Sequence, residues 1–65
     1  MKRELGKLLK GVREEQKIEK EDLCSGLCTV EELDRIEAGE DPEVELILLQ
    51  ALFERAGTSL RRFLQ

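Results

Sequence analysis

The sequence predicts an all-α fold of five helices, and three observations predict it. Leu5, Leu8, Leu9 and Val12 recur at the one-face spacing of an amphipathic helix. Residues 23–39, LCSGLCTVEELDRIEAG, read as a short helix, a tight turn and a second helix ended by glycine. Leu46, Ile47, Leu48 and Leu49 run consecutively and are followed by Ala51, Leu52 and Phe53, a helix apolar almost all round. At 65 residues the chain forms one domain, 1–65. A core this small is marginal unless its helices pack closely or a partner covers them.

The first helix is predicted from Glu4 to about Gln16, with Gly6 and Gly11 lowering its intrinsic propensity. Ile18 lies in the loop that follows, and a second helix runs from Glu19 to about Ser25. The third runs from Val30 to about Ala38. Thr29 is placed to cap its free amides, and Glu32, three residues on, completes a capping box. Gly39 suits the left-handed residue that closes such a helix. The fourth helix is predicted from Pro42 to Ala56. Pro42 fits the first helical position, Asp41 the cap, and Glu43 and Glu45 the acidic first turn. Gly57 ends it, and Thr58 or Ser59 caps a fifth segment, SLRRFLQ, with Leu60, Phe63 and Leu64 on one face.

The expected core is Leu5, Leu8, Leu9, Val12, Leu23, Leu27, Leu33, Ile36, Leu48, Leu52 and Phe63. Helix 4 has more apolar circumference than that core can cover. Leu46, Ile47, Leu49, Phe53 and Leu60 are therefore the candidate interface, with some of them expected to stay exposed in the monomer. Their partner is expected to be a second copy in a homodimer, or a C-terminal domain of a longer protein from which 1–65 is taken.

The formal charge of −4 is unevenly distributed. Residues 1–20 carry +3, residues 21–54 carry −10 with Arg35 as their one base, and residues 55–65 carry +3. An acidic domain is a poor non-specific DNA binder, because phosphate attraction supplies most of that affinity. Clustered basic ends can still touch phosphates where they share a face.

Cys24 and Cys28 are one helical turn apart, and the chain has no histidine. Two cysteines alone do not complete a tetrahedral zinc site, and a disulfide across one turn of a short helix is geometrically awkward. They read as small buried apolar residues of a reduced, cytoplasmic protein, so no metal and no cofactor is expected. With no histidine, no tyrosine and no phosphate-cradling glycine loop, the chain offers no catalytic set, and an enzyme is not expected. No apolar run reaches the length of a membrane span, and the charged, periodic N-terminus is unlike a secretory signal.

Two short helices joined by so tight a turn form a helix-turn-helix, the commonest device for laying a helix in a DNA major groove. The residues that carry it resemble a known family. Leu5-Gly6-Lys7-Leu8 through Arg13, Leu27-Cys28 before the turn, Asp34-Arg35-Ile36-Glu37-Ala38-Gly39, Pro42, and Leu48-Leu49-Gln50-Ala51-Leu52 to Gly57 resemble the Cro/repressor-type (Xre) helix-turn-helix family. The likeness is nearest to the N-terminal domain of Rgg/PlcR-like peptide-responsive bacterial regulators. It implies a compact, five-helix lambda-repressor-like domain with the helix-turn-helix at helices 2 and 3. It also implies a structural place for Glu37. The chain departs from the family at Glu19, where Thr or Ser is usual, at Lys20, where a phosphate-facing Gln is usual, and at Val30, Glu31, Glu32 and Asp34.

With helix 3 placed in a groove as the family places it, Thr29, Val30, Glu31, Glu32 and Arg35 face the bases. Lys20, with Lys17 nearby, then neutralises phosphate. Arg35 suits a bidentate contact to guanine, Val30 a thymine methyl group and Glu31 a cytosine amine. Each has a plainer role as well. Glu31, Glu32 and Asp34 are acids that a helix N-terminus favours, and Arg35 can pair with Glu31 at i,i+4. Two functions follow. One is the double-stranded-DNA-binding domain of a bacterial transcriptional regulator. The other is a degenerate helix-turn-helix that binds protein instead.

Overall fold

In a computed structural model of the chain, residues 2–40 and 43–58 are described. Among them the protein is all helical: α1 is Lys2–Glu15, α2 is Lys20–Cys24, α3 is Val30–Ala38 and α4 is Leu46–Arg55. The expected fifth helix, with Leu60 and Phe63, lies outside the described residues.

The first helix buries Leu5 and Leu9, with Val12 packed at the edge of the core. It meets α3 across Gly6, where a Cβ would stand 1.9 Å from the carbonyl oxygen of Ile36. The two backbones therefore touch. About two turns further along α1, Arg13 reaches Glu37 of α3. Its Nε donates to Oε2 at 2.6 Å and its Nη2 to Oε1 at 3.1 Å, a two-pronged pair with both residues buried. Arg13 Nη1 also donates to the Ile18 carbonyl at 3.2 Å, which pins the loop after α1. Leu8, expected in the core, is 43% exposed. The inner positions of α1 are taken by Leu5, Gly6, Leu9 and Arg13, and Leu8 lies on the shoulder beside them.

The third helix begins and ends where its sequence puts it. The Thr29 hydroxyl accepts from the Glu32 amide at 3.1 Å, and the Thr29 amide donates to Glu32 Oε1 at 3.1 Å, so the capping box is complete. At the other end Gly39 takes φ 74°. Its amide donates to the Ile36 carbonyl, and the Glu40 amide to that of Arg35. This is the paired closure that a left-handed residue allows.

The end of α1 closes the same way without glycine. Lys17 holds φ 58°, with its amide bonded to the Glu14 carbonyl and the Ile18 amide to that of Arg13. A side chain in this region costs roughly 1–2 kcal/mol. Lys17→Gly is therefore expected to stabilise the domain by about 1 kcal/mol and raise Tm by roughly 4–8 °C in a thermal melt. An unchanged or lower Tm would show that the turn carries no such strain.

The fourth helix corrects three expectations. It starts at Leu46, with Glu45 as an extended N-cap that makes no side-chain bond, and not at 42; Asp41 and Pro42, expected to open it, lie outside the described residues. Val44, just before this cap, is 4% exposed and belongs to the core, so the chain enters α4 from a buried residue. The buried face is Leu49, Leu52, Phe53 and Ala56 at i, i+3, i+4 and i+7. Leu49 and Phe53 are thus core residues and not interface, and Leu48 is only half-buried. Leu46 and Ile47 do remain exposed, at 46% and 77%. The core is completed by Leu23, Cys24, Leu33 and Ile36, with Ile18, Leu27, Cys28 and Val30 packed against it.

Candidate nucleic-acid interface

The candidate interface centres on α3, whose two faces have different chemistry. Leu33, Ile36 and Glu37 point inward and are buried. Glu31, Asp34, Arg35 and Ala38 are exposed, and their i, i+3, i+4, i+7 spacing makes one outward stripe. The capping box fixes how the chain enters the helix and so fixes the rotation of that stripe about the helix axis.

Of the residues expected to face a groove, Glu31 and Arg35 are exposed on this stripe. Arg35 does not pair with Glu31; its side chain makes no hydrogen bond or ion pair among the described residues. Thr29 is exposed, but its hydroxyl and amide are both bonded to Glu32, so these two side chains are spent on the start of the helix. Val30 is half-buried and leans on the core. Lys17 is exposed in the loop after α1.

Lys20 is the first residue of α2, and its Nζ lies 2.7 Å from Oδ1 of Asp34 on α3. The side chains are 41% and 49% exposed, so the pair sits at the surface. Its hydrogen bond and charge raise the Lys20 pKa above the ordinary lysine value. The outward stripe alone sums to −1, and Lys20 brings the group to zero.

The turn between α2 and α3 is held from inside and from behind. Cys24 is buried, and its thiol points weakly at the Glu21 carbonyl, 3.9 Å away. Cys28 is half-buried, and burial, followed by the neighbouring Cys24 and Glu32, pushes its thiol up to about 11. Both are free thiols. Behind the turn, Arg55 of α4 donates through Nη1 to the Leu23 carbonyl at 3.2 Å and to the Ser25 carbonyl. These are carbonyls that a helix end leaves unpaired.

The sequence marks Lys20 and Asp34 as separate charges and gives no local sign that they meet across fourteen positions. Arg55 carries only the general signal of a basic residue in a last helical turn. No helix among the described residues is long and apolar enough to cross a membrane. No protein-family model matches the chain, and no curated protein or solved structure shows significant similarity to it.

Proposed function

We propose that this chain is the DNA-binding domain of a bacterial transcriptional regulator. In this reading α2 and α3 are the two arms of a helix-turn-helix in a lambda-repressor-like domain. The outward stripe of α3 enters the major groove, with Arg35 as its base reader and Lys20 beside a phosphate. The observation that carries the reading is Arg35: an exposed guanidinium with no partner among the described residues, on a helix capped at both ends, next to an acid whose charge Lys20 offsets. Such a fork is the group that recognises guanine most often. The resemblance to Cro/repressor-type domains points the same way.

A second reading has its own observation. Leu46 and Ile47 are exposed and adjacent at the start of α4. With the acidic middle of the chain, they suit a protein-binding helix-turn-helix in which the groove face is idle. In the DNA reading, that same apolar step is where a second copy would pair for two half-sites.

Arg35 separates the two. Arg35→Ala is expected to lower affinity for a selected duplex by roughly 1–3 kcal/mol and to relax preference at one base pair. Fluorescence anisotropy on duplexes recovered from a random pool at low salt measures it. Equal, negligible affinity of wild type and Arg35→Ala for every duplex ends the DNA reading.

A further inference from the structure

We infer that Asp34 is an internal competitor for Lys20, holding the phosphate-binding lysine in a closed pair that a duplex must open; this rests on the DNA reading above. The pair joins two different helices, Lys20 at the start of α2 and Asp34 in the middle of α3, at 2.7 Å. Asp34 lies in the outward stripe directly beside Arg35, so the lysine is held on the face that the duplex approaches.

A carboxylate and a phosphate oxygen ask the same of an ammonium group, a short charge-assisted hydrogen bond. Lys20 satisfies Asp34 before any DNA arrives. A phosphate taking its place must displace the carboxylate or accept a second anion beside it. The closed state is only modestly favoured: an exposed pair is held over its open form by a factor of roughly 1–5. Salt weakens it further. Asp34 thus sets a threshold without blocking the site. Phosphate contacts carry no sequence information, so the threshold applies to all duplexes alike. It penalises weak, non-specific encounters in the same proportion as specific ones, and only the specific ones have Arg35 to recover the loss.

Asp34→Asn tests this, in the wild-type chain and again in the Lys20→Gln background. Both side chains are at the surface and neither change adds bulk, so circular dichroism serves as the fold control. Asp34→Asn is expected to raise affinity roughly 2–6-fold on specific and random duplexes alike, and to steepen the slope of log affinity against log salt by about one. In the Lys20→Gln background, the gain is expected to be at least twofold smaller. A gain that does not shrink that far, or no gain in the first place, overturns the inference while a wild-type protein that binds DNA keeps the functional reading. Absence of binding to any duplex by both wild type and Asp34→Asn overturns the reading, and the inference with it.

Discussion

Gly6→Ala is expected to cost the domain about 3 kcal/mol or more, at the upper end of the range for overpacking. Gly11→Ala, in the same helix, is expected to gain roughly 0.5–1 kcal/mol. The same methyl group is added in both. At Gly6 it would arrive 1.9 Å from the Ile36 carbonyl oxygen, and the obstacle is backbone, which cannot swing aside like the end of a side chain. At Gly11 it meets nothing within 4 Å, so only the helix preference of alanine remains. A domain of this size has only a few kcal/mol from its core, so the Gly6 variant should be largely unfolded near room temperature. Urea denaturation followed by circular dichroism checks the pair. A Gly6→Ala protein as stable as wild type would mean that α1 and α3 are further apart than described.

Glu37→Leu is expected to cost roughly 3–5 kcal/mol, the range for removing one partner of a buried ion pair. It would strand the buried Arg13 guanidinium, which loses the hydrogen bond and charge of Glu37 that raise its pKa and, as an arginine, still cannot shed its own charge. Removing both charges together, as Arg13→Met with Glu37→Leu, should restore most of the loss, because apolar groups of similar volume replace buried pairs with little penalty. The residual cost is the Ile18 carbonyl, which would lose its bond from Arg13 Nη1. The two single changes therefore should not add. Melting curves of both singles and the double measure this coupling. Additive losses would show that the pair contributes nothing as a pair.

The parts of the fold that the sequence announces are those decided within a few residues. Thr29, Glu32 and Gly39 settle α3 by local hydrogen bonds and backbone conformation, and the helix lies where they put it. α4 is different. Four consecutive apolar residues from Leu46 leave its rotation open, and the choice of Leu49, Leu52, Phe53 and Ala56 as the inner face is made by the helices it meets. Its start at Leu46 is not legible from Pro42 and the acids around it, which give a strong local signal, while the burial of Val44 just before the helix is a long-range fact. Leu8 is misplaced for a related reason: periodicity counts apolar residues, and the inner face of α1 spends a position on Arg13. At the candidate interface, the exposed Arg35 is legible from its place on the helix. The Lys20–Asp34 pair is not, because a contact between helices has no signature in either strand of local sequence.

Arg55 has a wider meaning for how this domain can vary. α2 has five residues, far too few to hold a helix by itself, and its last carbonyls are tied off by a guanidinium from the far end of the chain. The α2–α3 unit is therefore not a cassette that can be lifted out and grafted elsewhere with its geometry intact. Transplanting residues 20–38 alone would leave behind the group that finishes α2. A change in α4 is not silent for α2 either: losing the arginine at its end removes a hydrogen bond from a turn thirty residues upstream. The segment that carries the candidate interface and the segment that steadies it hold their shape as one unit.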